Sequence, residues 1–141
     1  MRYDVVIIGA GAAGFACALT LGSANDKFDW AKDKKYLILD DNKSDLNVGK
    51  YFNVAGVDSG INGVDLLAKM KKQLEIYKDV ELKNEKATKI ENLGEYFKIT
   101  TDSSTFEASI IVLATGLHKF DIECEGVNVK DNIFVPKPNN I

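Results

Sequence analysis

Histidine occurs once in this sequence, as His118, and cysteine twice, as Cys17 and Cys124. A single histidine excludes any metal site built on two or more imidazoles. Two cysteines with no partner at CxxC spacing exclude a disulfide framework and a dithiol redox pair. Neither sign of charge dominates: 18 Lys and Arg against 21 Asp and Glu leave a net charge of −3. That is too little to recruit nucleic acid or an anionic membrane. Low-complexity tracts and internal repeats are absent as well. What is present is ordinary for a globular chain, with 45% apolar and 28% charged residues, well away from disordered compositions. The 141 residues predict one domain, read as cytoplasmic, that buries about 68–70% of the surface of its unfolded chain.

One stretch tests that reading. Val5 to Asn25 carries no charged residue and is long enough to cross a bilayer. Arg2 alone precedes it as a positive charge, Asp4 cancels it, and no small-residue cleavage site follows, so it is a poor signal peptide. Gly9, Gly11 and Gly14 interrupt the apolar run, and the better reading makes these glycines its purpose.

Tyr3–Ile8 is a short β-branched run of the kind buried on both faces of a parallel sheet. It leads into Gly9-Ala10-Gly11-Ala12-Ala13-Gly14, an intact GxGxxG, and then a helix from Ala12 to about Leu21 that Gly22-Ser23 would stop. In this pattern the first glycine permits the tight turn, the second lets a pyrophosphate approach, and the third brings helix and strand together. The helix N-terminus offers free N–H groups to the phosphates. A lone GxGxxG is weak, but a second strand, Tyr36–Leu39, ends in Asp40-Asp41. A carboxylate there accepts the hydroxyls of an adenosine ribose and repels the 2′-phosphate of NADP. Asp40 follows Gly14 by 26 residues, beyond the usual spacing of about 20, and the excess lies in a polar connection, Asn25–Lys35. The strand–turn–helix context favours dinucleotide binding over a strand–helix unit without a ligand.

Beyond an irregular stretch reaching Gly60, Asn62 is placed to cap a helix whose stripe is Val64, Leu67, Met70, Leu74 and Tyr77, with Asp65 in its first turn. Lysines 69, 71, 72 and 78 fall on its solvated faces. Val80–Leu82 is a short strand. Ala87–Asn92, Tyr96–Thr101 and Ser104–Ala108 alternate as an antiparallel meander. Ile110–Gly116 reads as a second fully buried strand, with small residues at the carboxyl end, where open α/β sheets bind their ligands. Cys17 lies in the first helix as a small core residue, and Cys124 and His118 lie in a loop with nothing to join them as a nucleophile pair.

Taken together, the GxGxxG, the acid ending the second strand, the meander and Ile111-Val112-Leu113-Ala114-Thr115-Gly116 resemble the FAD-binding domain of the pyridine nucleotide–disulfide oxidoreductases, most of all the thioredoxin reductase branch. Asn53-Val54-Ala55-Gly56 and Gly63-Val64-Asp65-Leu66-Leu67 stand where that branch has Asn-x-Pro-Gly and a Gly-x-x-Leu helix, with Ala55 in place of proline. The resemblance covers about residues 1–117. It implies a Rossmann-like α/β fold, a central parallel sheet flanked by helices with a small meander, and FAD rather than NAD in the first site. Residues 1–141 would form a single FAD-binding domain whose segment 117–141 is irregular.

By position the resemblance assigns Gly9, Gly11, Ala12, Ala13 and Gly14 to the pyrophosphate and Asp40, with Asp41 beside it, to the ribose. Ala87 would meet the adenine, and Ala114, Thr115 and Gly116 the pyrophosphate and ribityl side, while Asn53 would face the flavin. Several family elements are not recognisable: the Gly-Gly-Gln-Leu segment within Asn42–Lys50, a second GxGxxG for an NADPH domain, the CxxC, and the closing Gly-Asp motif. Asp131–Val135 resembles a relic of the strand that leads into that motif. These features imply a flavoprotein oxidoreductase whose electron donor is a partner protein or a second subunit of a homodimer. The alternatives are a non-catalytic adenine-dinucleotide-binding or partner-binding module derived from such a flavoprotein and, more weakly, an NAD enzyme.

Overall fold

The computed structural model describes residues 1–117 and 121–127. In it the first apolar run forms strand β1 (Arg2–Ile8), with Val6 and Ile7 wholly buried. The chain turns at Gly9–Gly11 into helix α1 (Ala12–Asn25) and returns as β2 (Tyr36–Asp40), parallel to β1 from Val5↔Tyr36 to Ile8↔Leu39. Two short strands, β3 (Lys50–Tyr51) and β4 (Ile61–Asn62), pair antiparallel across the irregular stretch, and helix α2 (Gly63–Leu74) follows directly. Then come β5 (Val80–Asn84), β6 (Ala87–Asn92), β7 (Phe97–Thr101), β8 (Thr105–Leu113) and β9 (Glu123–Glu125).

Among the described residues, seven strands make one sheet in the order β5-β2-β1-β8-β7-β6-β9. The β5-β2-β1-β8 half is parallel and β8-β7-β6 is antiparallel, with β9 parallel to β6. Because successive strand residues face opposite sides, β1 and β2 feed two cores. Val6, Ile8, Leu37 and Leu39 pack with Ile90, Ile99 and Phe106 of the meander. Val5, Ile7, Tyr36 and Ile38 pack with Phe15, Ala18 and Leu74 of the helices. Full burial of a large apolar side chain such as Val6, Ile7, Leu37 or Ile38 is worth roughly 1.5–3 kcal/mol, so the sheet is anchored from both faces.

Four sequence expectations change. Helix α1 does not stop at Gly22-Ser23 but runs on to Asn25. Gly22 serves packing, since a Cβ there would come within 2.7 Å of the Tyr77 ring. The buried arc of α2 is centred on Leu66, Leu67, Met70 and Leu74, leaving Val64 57% exposed. Asn62 occupies the N-cap position, but its side chain donates to Asp65 Oδ2 at 3.3 Å instead of capping a backbone N–H.

The third meander strand and the expected second buried strand are one element. Strand β8 pairs with β7 through Thr105–Ala108 and with β1 as far as Leu113, so no turn separates them. It is not buried throughout, for Ile110 is 55% exposed, and Ala114–Gly116 lie beyond its end. Within the segment read as irregular, Glu123–Glu125 form β9. The Asp131–Val135 relic and His118 lie outside the described residues. Among those described, no helix is long and apolar enough to cross a membrane.

Tyr3 links the two halves of the sheet. Its hydroxyl donates to Glu81 Oε2 at 3.0 Å and its ring meets Phe106 edge-on. Burial, reinforced by Glu81, pushes the Tyr3 phenol up to about 12. A raised acid stabilises the fold in its neutral form, below the ordinary tyrosine value near 10, and that stability is lost as pH rises toward the folded value. Wild-type stability will therefore decline between about pH 10 and 12, and Tyr3→Phe will flatten that part of the denaturation profile. Parallel profiles for the two proteins would refute the assignment.

Candidate functional site

Parallel pairing brings the carboxyl ends of β1, β2 and β8 to the same end of the sheet, and three loops meet there. The Gly9 N–H donates to Leu39 O at 2.8 Å, and the Ala114 N–H donates to Ile8 O at 2.8 Å. Gly9 has φ +103°, and a Cβ on it would stand 2.3 Å from the Ala114 carbonyl oxygen. Only glycine fits that conformation and that contact. Gly14, one helical turn on, has its backbone against the Gly9 carbonyl, where a Cβ would come within 1.9 Å. Gly11 differs: the one heavy atom near its missing side chain is Ser44 Oγ, at 3.4 Å. Its free side opens into a cavity.

That cavity, of about 80 Å³, is lined by Gly9, Ala10 and Gly11, by Asp40 and Asp41, by Ala87 and by Ala114, Thr115 and Gly116. Pockets that enclose a drug-sized ligand run to roughly 300–1,000 Å³, so this one holds part of an extended ligand and leaves the rest on open surface. Of the residues singled out in the sequence, Ala12 and Ala13 are exposed at the start of α1, and Gly14 is buried behind the turn. Asn53 lies on an exposed loop away from the cavity wall. Ala87 is nearly buried at the start of β6, so it offers backbone and little side chain.

Asp40 does more than end a strand. Its Oδ1 accepts the Ala10 N–H at 2.9 Å and its Oδ2 accepts the Asn42 N–H at 3.2 Å. One carboxylate thus ties the glycine turn to the turn after β2, while each oxygen keeps a lone pair for a further donor. The chain then passes through Lys43 and Ser44 into a 3-10 turn (Asp45–Val48). This turn sits on the start of α2, where a Cβ on Gly63 would come 1.5 Å from the Leu46 carbonyl oxygen. Asp45 Oδ2 accepts the Leu117 N–H at 3.1 Å, tying the segment after Gly116 to the same turn.

The opposite wall carries groups that motif reading passed over. Glu85 accepts from Thr101 Oγ1 at 2.6 Å and Ser104 Oγ at 3.3 Å, which fixes its carboxylate against the β7–β8 turn. Lys86 Nζ meets Asp121 Oδ2 at 2.5 Å, and that hydrogen bond raises the Lys86 ammonium above its ordinary value. The only signal for these residues in the sequence is their position, next to Ala87 and at the end of β5. Four carboxylates (Asp40, Asp41, Glu85, Asp121) and two lysines (Lys43, Lys86) line the cavity.

Neither cysteine is set up as a nucleophile. Burial raises the Cys17 and Cys124 thiols above their usual values, which disfavours the reactive thiolate. Cys124 sits in β9 with its Sγ toward Ile122 O, and Cys17 lies half-buried in α1. Among the described residues no group of three potential ligands is placed to hold a metal ion. The cavity thus joins a side-chain-free turn and the N-terminus of a 14-residue helix, groups that could meet an anion, to carboxylates that could accept hydrogen bonds.

Known proteins share this fold. The family model for pyridine nucleotide-disulphide oxidoreductase matches residues 3–138. Thioredoxin reductase of Treponema pallidum (strain Nichols) is 31% identical over 114 residues, covering 81% of this chain and 35% of that protein. A thioredoxin reductase from Gloeobacter violaceus superposes with a TM-score of 0.73 at 28% identity, over 84% of this chain and 38% of the other. The Lactococcus lactis thioredoxin reductase gives 0.70 at 32% identity, over 88% and 39%. A ferredoxin-flavin thioredoxin reductase from Clostridium acetobutylicum gives 0.65 at 29%, over 84% and 39%. The chain spans little more than a third of the length of these relatives. What it shares with them is the Rossmann-like fold, and with the family model matching residues 3–138 this chain belongs to the pyridine nucleotide-disulphide oxidoreductase family.

Proposed function

We propose that this chain is the FAD-binding portion of a thioredoxin reductase-like flavoprotein oxidoreductase. The observation that carries the reading is the meeting of Gly9–Gly11, Asp40 and Ala114–Gly116 in one cavity. These residues fit the adenosine diphosphate half of FAD. The turn leaves room where a Cβ would intrude, and Asp40 retains acceptor capacity for ribose hydroxyls. When bound, the flavin supplies electron-carrier chemistry, and the protein supplies binding, orientation and electrostatics. The 141 residues hold no CxxC, so electrons pass to an acceptor other than a dithiol of these residues. A nicotinamide-binding unit outside these residues, in a separate redox partner or another subunit of a homodimer, is the proposed donor.

One observation favours a second reading. The flavin-facing Gly-Gly-Gln-Leu and closing Gly-Asp motifs are not recognisable in these residues, as suits a non-catalytic module that recognises only the adenosine end, of FAD or of NAD. A thermal-shift series with FAD, ADP, NAD and NADP, together with the visible spectrum, separates the two. A ligand at 100 times its Kd adds about 2.7 kcal/mol to the stability of the native state. Under the flavoprotein reading FAD gives the largest shift, and the protein is yellow and bleaches on reduction. ADP matching FAD, with no turnover, supports the second reading, and no shift with any adenine nucleotide overturns both.

A further inference from the structure

Lys43 is the cation in this cavity that has no carboxylate to neutralise it. Lys86 is paired with Asp121, whereas Lys43 makes no ion pair among the described residues, and its backbone N–H is held by Asp41 Oδ1 at 3.1 Å. The adjacent Ser44 places its Oγ 3.4 Å from the position of a Cβ on Gly11, and there it accepts the Leu46 N–H. The hydroxyl proton of Ser44 is thus left to donate. Lys43 and Ser44 reach the same cavity as the glycine turn. Helix α1 begins there with no capping side chain and no acid in its first turn, so its N–H groups and partial positive charge are open to an anion.

The local balance of charge needs that lysine. With Asp121 paired to Lys86, the residues Asp40, Asp41 and Glu85 still line the cavity, and carboxylates repel a diphosphate brought near them. The helix end contributes only about half a positive charge. We infer that Lys43, with the Ser44 hydroxyl, recognises the diphosphate of the dinucleotide and offsets the Asp40–Asp41 pair, so that adenosine carrying phosphates is preferred to adenosine alone. Asp40 keeps the ribose and the β2 turn supplies both charges, which lets a short segment recognise sugar and phosphate together. This inference rests on the dinucleotide reading above.

Calorimetric titration of the whole chain with adenosine, AMP and ADP tests it. Lys43→Ala is expected to weaken ADP roughly tenfold, the loss of one charge-assisted contact, with adenosine unchanged and the salt dependence of ADP binding flattened. Lys43→Arg restores most of the affinity, and Ser44→Ala gives a smaller loss confined to the phosphorylated ligands. Lys78→Ala, an exposed lysine away from the cavity, binds like wild type. Lys43 is itself exposed, so melting temperatures of its variants stay at the wild-type value and binding is read on folded protein. Wild type that binds ADP while Lys43→Ala binds it equally overturns the inference alone. So does an equal loss for adenosine and ADP. Wild type that binds neither ADP nor FAD overturns the dinucleotide reading and this inference with it.

Discussion

Alanine at position 14 will cost about 3 kcal/mol or more, the upper end for added volume in a packed site, and will abolish the proposed dinucleotide binding with it. The intruding Cβ would stand 1.9 Å from the Gly9 carbonyl oxygen, and a backbone atom cannot rotate aside as a side-chain tip can. Gly9 has little freedom to yield. Its N–H is bonded to Leu39 O, and its own Cα faces the Ala114 carbonyl. The start of α1 must therefore lift from β1, moving the helix N–H groups away from any phosphate at the turn. Denaturant midpoints and ADP titration measure the two losses. A variant within about 0.5 kcal/mol of wild type, the range of an ordinary surface change, would show that helix and turn are not locked together.

Asp40→Ala is the second large effect. Removing the carboxylate strands the Ala10 N–H, a group on a residue only 3% exposed. A buried donor left unpaired costs about 1–3 kcal/mol. The same change removes the proposed ribose acceptor, so both stability and adenosine affinity fall. Asp40→Asn separates the roles, because its amide oxygen still accepts from Ala10 while its amino group cannot accept from a ribose hydroxyl. It is expected to keep most of the wild-type stability and lose affinity for adenosine and ADP alike. If Asp40→Asn binds adenosine as wild type does, Asp40 only braces the turn.

How legible these features were depends on how local their causes are. The β1–turn–α1 unit could be read because its apolar run, glycines and helix are contiguous. The proposed dinucleotide site follows from that unit and from the acid at the end of β2. The end of α1 was misread because Gly22 resembles a stop signal in sequence. The reason for a glycine there is the Tyr77 ring, which arrives from a distant part of the chain. Strand β8 was divided because its pattern shifts where its partner changes from β7 to β1, and partners are not visible in one sequence. Lys43, Ser44 and Glu85 escaped notice for a similar reason: each gains its meaning from a turn folded back over the glycines or from the far wall of the cavity.

The union of meander and parallel strand in β8 also bears on how the chain is made. Strand β1 fits between β2 and β8, and its Val5 is aligned with Ile110. One whole edge of the first described strand must wait for a strand about a hundred residues further on. At translation rates of about 5–20 residues per second, that interval is roughly 5–20 s. During it this strand, with Val6 and Ile7 wholly buried in the finished fold, has one open edge, which is a ready template for pairing with another chain. The nascent polypeptide is thus most exposed to misassembly before Ile110 emerges, and the site at the carboxyl ends of the strands is among the last parts of the fold to exist.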